Sequence, residues 1–248
     1  MNKLKIGIIM IEEPFYSKLF VQRLLKDFNI EFVILHTDFV SVERILKTFF
    51  IYGPFQFAKT VLKVLKNNLF GGEINNLFNK NNVPVFHTGK INSNESLKFI
   101  ESKNFDILIS FNCPEKIKND ILSQPNLYPI NIHLGLLPHY RGIFPIFHAF
   151  INDEKYVGVT IHVMNANFDD GAIIKQVKIE INKKDDLLSL YQKAFSKIPD
   201  LTAETLIEMS NENIEFKTND KNNSSYFSYP TFKNILTYRS LLWKKRFS

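Results

Sequence analysis

An amide and an imidazole two residues apart, Asn131 and His133, and a carboxylate pair before a glycine, Asp169-Asp170-Gly171, are the side chains of this 248-residue chain best suited to chemistry. Four of the six histidines, His133, His139, His148 and His162, fall within thirty residues. Such a cluster admits a metal site or an acid/base site, beside the reading in which these are ordinary polar tips of strands and loops. Metal binding is the poorer fit, because no HExxH or related spacing occurs and Asp169 and Asp170 stand beside a glycine in a turn. Residues two apart on a strand share a face, so Asn131 and His133 point to one side and Ile132 to the other.

The elements that must position these groups read as an α/β pattern. An apolar run, Lys3 to Met10, is followed by Phe15, Leu19, Phe20, Leu24 and Leu25 at helical spacing and by a second run, Glu31 to His36. The alternation continues through a Phe- and Lys-rich helical stretch from about 42 to 77, a strand at 83–86, a helix at 95–102 and a buried strand at 106–110. Strands at 128–133 and 157–164 follow, then helical periodicity from Asp185 to about Ser210, which Pro199 is expected to kink or divide. The pattern predicts a Rossmann-like, doubly wound, mostly parallel sheet, with ligands beyond the carboxyl ends of its strands. The glycine-rich signatures of dinucleotide and triphosphate binding are absent.

Length and composition fit one main domain, expected over 1–210, followed by a basic extension over 211–248 that has a polar connection, a short strand at 226–229 and a helix at 232–243. Cys113 is the only cysteine, so neither a disulfide within the chain nor a paired-cysteine zinc site can be built, and a reducing, cytoplasmic setting is expected. No stretch approaches the about 20 apolar residues of a membrane span. Net charge is +6, and residues 221–248 hold six basic residues and no acidic one, which suits an anionic partner such as a nucleotide, a tRNA or a lipid surface. A solvated helix face that only aids solubility is the plainer reading.

Read in order, Asn131-Ile132-His133, the loop Leu136-Leu137-Pro138-His139-Tyr140-Arg141-Gly142, the strand Gly158-Val159-Thr160-Ile161-His162 and the turn Asp169-Asp170-Gly171 resemble the formyltransferase family, which includes glycinamide ribonucleotide, methionyl-tRNA and sugar N-formyltransferases. The resemblance is strong over about 105–180. It implies that Asn131, His133 and Asp169 are catalytic, with Asp169 rather than Asp170 chosen by its spacing to Gly171. It implies N10-formyltetrahydrofolate as formyl donor and no metal. Its pterin is expected in a slot between Phe111-Asn112-Cys113-Pro114 and Met164-Asn165-Ala166-Asn167-Phe168. Direct attack by an amine needs no Ser or Cys nucleophile. The Asn131 amide and a protonated His133 would meet the oxyanion, and Asp169 would orient His133, raise its pKa or relay a proton.

Tyr140 and Arg141 are expected to contact substrate or close over it, although Arg141 paired with a neighbouring carboxylate is an even alternative. His139 and His148 read as structural, and His162 as lining the site without performing chemistry. Only 38 residues follow Ser210, too few for a tRNA-binding barrel. The tail looks like that of the sugar enzymes, so the resemblance implies a nucleotide-linked amino sugar as acceptor, such as a dTDP-linked 4-amino-4,6-dideoxysugar, in surface polysaccharide synthesis. Nucleic acid is not expected as a partner, and a homodimer is. Formylation of methionyl-tRNA or another amine, formyltetrahydrofolate hydrolysis, and a non-catalytic binding module are the competing readings.

Overall fold

The computed structural model describes residues 4–12, 15–37, 42–69 and 72–247. In chain order the elements are β1 (Lys5–Ile11), α1 (Ser17–Asp27), β2 (Asn29–His36), α2 (Val42–Leu69), α3 (Glu73–Lys80), β3 (Val85–Thr88), α4 (Asn94–Glu101), β4 (Ile107–Phe111), α5 (Asn119–Leu122), β5 (Tyr128–His133), β6 (Arg141–Gly142), α6 (Pro145–Ile151), β7 (Tyr156–Val163), β8 (Ile173–Glu180), α7 (Leu187–Ser210), β9 (Tyr226–Phe227) and α8 (Phe232–Phe247). Seven strands form one sheet in the order β3-β2-β1-β4-β5-β7-β8, parallel from β3 through β5, with β7 and β8 antiparallel. This is the expected Rossmann-like architecture.

Both faces of the sheet are covered, and the two-residue period assigns side chains to each. Ile6, Ile8 and Met10 of β1 and Ile107, Ile109 and Phe111 of β4 join the core that contains α1, α6 and α7, while Ile9 and Leu108 join the smaller core against α4 and α5. Burial on both sides explains why these strands read as unbroken apolar runs rather than alternating ones.

Two helices depart from expectation. The stretch expected from 42 to 77 ends as α2 at Leu69 and restarts as α3 at Glu73, with residues 70–71 outside those described. Within α2, Gly53 has φ 79° and ψ 169° immediately before Pro54, so the chain bends sharply there, as the missing proline N–H and the left-handed glycine require. Conversely, α7 runs unbroken through Pro199. Its apolar face, from Leu187 through Leu190, Ala194, Ile198 and Leu206, is buried against the sheet, and that packing outweighs the one backbone hydrogen bond a proline removes. Asp186 caps its start, accepting from the Ser189 N–H at 2.8 Å.

The tail does not stand apart. Ile235 and Tyr238 of α8 enter the main core, and β9 pairs with β6 in a two-stranded sheet. The strand expected over 226–229 is formed by its first two residues.

Candidate active site

β5 lies next to β4, near the reversal of strand order between β1 and β4, and ends at His133. Its register sets Asn131 opposite His162 of β7 and His133 opposite Thr160. Asn131 and His133 face one side while Ile130 and Ile132 enter the core on the other. The third group arrives on the turn after β7: Asp169 adopts φ 48°, a left-handed backbone that costs about 1–2 kcal/mol for a side-chain-bearing residue. Gly171 closes that turn against β7 so tightly that a Cβ there would lie 1.9 Å from the Val163 carbonyl oxygen. The glycine two residues after the aspartate is therefore a requirement of close approach.

One carboxylate gathers the cluster. Asp169 Oδ1 lies 3.5 Å from His133 Nδ1, 3.5 Å from His162 Nε2 and 3.4 Å from Asn131 Nδ2, while Oδ2 accepts the Gly142 N–H at 2.8 Å. The tautomers follow from carbonyl partners, which only accept. His133 Nε2–H donates to the Tyr140 carbonyl at 2.8 Å, and His162 Nδ1–H donates to the Val163 carbonyl at 2.8 Å. In a neutral His133, Nδ1 thus carries the lone pair beside Asp169. His162 Nε2 is left to accept from Asn131 Nδ2, at 3.2 Å.

Burial drives the Asp169 carboxyl upward, but His133, His162 and the Gly142 N–H outweigh it, and the group stands well below the usual carboxylate range. At His133 the expected upward pull of Asp169 is present, but burial outweighs it. Its burial lowers its pKa below the ordinary 6.5, and the neighbouring Asp169, which acts to raise it, only partly offsets this. The resting pair is therefore an ionised Asp169 beside a neutral imidazole, a base rather than a standing cation. The Asn131 amide likewise has both N–H groups engaged at rest, on His162 and Asp169.

Asn131, His133 and Asp169 line one cleft of about 650 Å³. Of the expected folate slot, Asn112, Cys113, Pro114, Met164, Asn165, Asn167 and Phe168 line it. Phe111 and Ala166 do not: Phe111 is fully buried between Phe20 and Phe195, and Ala166 faces solvent. Glu115 ties this wall together, holding His36 Nε2 at 3.0 Å, the Ile91 N–H and the Asn92 amide. Burial pushes the Cys113 thiol up to about 12, so it stays protonated and offers no nucleophile. Among the described residues no cluster of His, Cys, Asp or Glu could hold a metal ion.

Tyr140 and Arg141 do not line the cleft. The Tyr140 hydroxyl donates to Glu154 at 2.7 Å, and the buried Arg141 pairs with Asp170 at 2.8 Å. Their backbones matter instead, through the Tyr140 carbonyl that fixes His133. The cleft is also lined by Thr48 and Tyr52 of α2 and Tyr191 and Phe195 of α7, which the sequence did not single out, and by Tyr226 and Tyr229 of the tail, expected as a possible acceptor or dimer contact. No local spacing marks them, since they meet only through long-range folding.

Gly142 links these parts. At φ 92°, with a Cβ position 2.2 Å from the Phe227 carbonyl oxygen, it tolerates no side chain while its N–H holds Asp169. Gly142→Ala is expected to destabilise the fold by about 2 kcal/mol or more in urea unfolding. A midpoint within error of the parent would show that the β6–β9 contact gives way freely.

Comparison with known proteins bears on the family and the fold. The family described as formyl transferase matches residues 49–206, more than half of the chain and all three clustered residues. A bifunctional polymyxin resistance protein ArnA from Wigglesworthia glossinidia brevipalpis is 40% identical over 114 residues, 46% of this chain and 17% of that protein. A methionyl-tRNA formyltransferase from Staphylococcus aureus is 34% identical over 138 residues, 54% of this chain and 44% of that one. The chain thus matches less than half the length of either relative. The solved N-formyltransferase from Helicobacter canadensis, in complex with folinic acid and dTDP-3-aminofucose, has the same fold at a TM-score of 0.65 and 20% identity, covering 100% of this chain and 83% of that one. With a cleft that gathers an amide, an imidazole and a carboxylate on the segment so matched, the chain belongs to the formyl transferase family.

Proposed function

We propose that the protein transfers the formyl group of N10-formyltetrahydrofolate to the amino group of a nucleotide-linked amino sugar, in the cytoplasm, for surface polysaccharide synthesis. The observation that carries this reading is the convergence of Asn131, His133 and Asp169 in a cleft lined both by the expected folate slot and by tyrosines of α2 and the tail. The wall of Asn112, Cys113, Pro114, Met164, Asn165, Asn167 and Phe168 takes the folate; the wall with Tyr52, Tyr226 and Tyr229 takes the acceptor. The tail tyrosines that line the cleft and the dTDP-amino sugar held by the Helicobacter canadensis protein support a sugar acceptor.

The amine nitrogen attacks the formyl carbon directly, and the carbon–N10 bond then breaks. His133 Nδ1, neutral at rest, takes the proton that the amine must lose. Asp169 steadies the resulting imidazolium, which returns the proton to the departing folate nitrogen. Asn131 offers the developing oxyanion the N–H now on Asp169, since at 3.4 Å that is the longer of its two contacts.

A base with lowered pKa has a defined pH signature. His133 is neutral above its folded pKa, so kcat/KM is expected to hold level through neutrality and fall only as the pH drops below 6.5. An acidic limb centred at or above that value would sink the assignment. The acceptor is tested by presenting dTDP- and GDP-linked amino sugars, methionyl-tRNA and glycinamide ribonucleotide with the formyl donor. Formylation of either of the last two but of no nucleotide-linked amino sugar overturns the proposal, as does formate release that needs no amine.

A further inference from the structure

α2 and α8 together carry ten basic residues and one acidic residue, a net +9, whereas the rest of the chain holds 21 basic and 24 acidic, a net −3. The same helices leave large apolar side chains in solvent. Beyond the bend at Gly53, Phe55, Leu62 and Leu69 recur every seven residues, and all are more than 60% exposed, with exposed Ala58 and Leu65 between them. Spacings of three and four residues put these on one stripe of the helix. Lys59, Lys63 and Lys66, also exposed, run alongside it. On α8, Phe232, Leu236 and Trp243 are more than half exposed and share a face by spacing, beside exposed Lys233, Arg239 and Lys244. The two helices adjoin: the Phe50 and Phe232 rings meet at 5.8 Å, and Gly53 lies against the Arg239 guanidinium.

Exposed apolar side chains on two adjoining helices, with lysines beside them, call for a partner, and the charge selects one. A second copy would set lysine against lysine, and the one acidic residue of the two helices, Glu43, already pairs with Lys47 at 2.7 Å. RNA would answer the charge and could stack on Phe55 or Trp243, but Leu62, Leu65, Leu69 and Leu236 make most of the exposed surface aliphatic, with no ring to receive a base. An anionic bilayer answers both features: acyl chains accept leucine, the interface accepts tryptophan, and lipid phosphates accept lysine. Among the described residues no helix is long and apolar enough to cross a membrane, which leaves the helix lying along the surface.

We propose that the α2–α8 face docks on the surface of an anionic lipid bilayer, with Phe55, Leu62, Leu65, Leu69, Leu236 and Trp243 entering the headgroup region. Because Thr48 and Tyr52 of α2 line the cleft, docking brings the acceptor side of the site to the membrane surface.

The full chain should co-sediment with vesicles of phosphatidylcholine mixed with phosphatidylglycerol and not with phosphatidylcholine alone, and high salt should release it. Lys59→Ala/Lys66→Ala is expected to weaken partitioning roughly 30-fold, and Leu62→Ser/Leu65→Ser at least 10-fold. Both variants should keep the parent melting temperature and the parent formylation rate without vesicles, since none of these residues lines the cleft. The proposal is overturned if the parent ignores anionic vesicles, if it binds RNA but not vesicles, or if folded variants partition like the parent. It is also overturned if the face proves to join two copies, seen as a lipid-free dimer that Leu62→Ser/Leu65→Ser dissolves.

Discussion

Replacing Asp169 with Asn is expected to lower kcat roughly 10²- to 10⁴-fold while changing KM for the formyl donor by no more than a few-fold. The substitution is nearly isosteric, so an oxygen remains for the Gly142 N–H, and the turn held by Gly171 has no reason to move. What disappears is the charge 3.5 Å from His133 Nδ1. Burial already lowers the pKa of that imidazole, and Asp169 is the main influence holding it up. Without the carboxylate, His133 becomes a weaker base and its imidazolium loses its counter-charge, so the proton has nowhere favourable to rest during transfer. The acidic limb of whatever activity remains should shift to lower pH. A kcat within a few-fold of the parent would remove Asp169 from the chemistry.

Arg141→Ala should act on a different quantity, with an expected loss of about 3 kcal/mol in unfolding free energy, the low end of what breaking a buried ion pair costs. Both partners are enclosed: the Arg141 and Asp170 side chains are 9% and 3% exposed, at a separation of 2.8 Å. Arg141 Nη2 also donates to Asn219 Oδ1 at 2.9 Å. Removing the guanidinium leaves the Asp170 carboxylate with Asn167 and the exposed Lys221, which moderates the penalty. Arg141→Lys should recover only part of it, because an ammonium cannot span Asp170 and Asn219 as the planar fork does. Urea unfolding reads the effect directly. An Arg141 that served the acceptor would instead raise acceptor KM at unchanged stability, and that outcome would sink the structural assignment.

How much of this could be read from the residues alone depends on the range of the interaction that decides each feature. β5 occupies the expected residues 128–133 because its alternation is local, and the same alternation gives the shared face of Asn131 and His133. The Asp169–Gly171 spacing is equally local. The break at Gly53–Pro54 was also written in the chain, where the long apolar periodicity of 42–77 masked it. At Pro199 a local breaker lost to tertiary burial of the helix face. The position of Tyr140-Arg141 shortly after β5 suggests side chains in the cleft, yet Glu154, Asp170 and Asn219 draw them away. The net direction of the His133 pKa escapes the sequence for a similar reason: the adjacent carboxylate that raises it is visible in the motif, whereas the enclosure that lowers it by more is not.

Asn219 donates to the carbonyls of Asp169 and Gly171 and accepts from Arg141, and Phe227 braces Gly142 from the same terminal segment. Tyr226 and Tyr229, which line the cleft, are therefore neighbours in sequence of the residues that keep the Asp169 carboxylate in place. Divergence toward new acceptors by exchange of this terminus is accordingly constrained: a grafted tail that alters the tyrosines but lacks an equivalent of Asn219 would loosen the machinery it was meant to retarget.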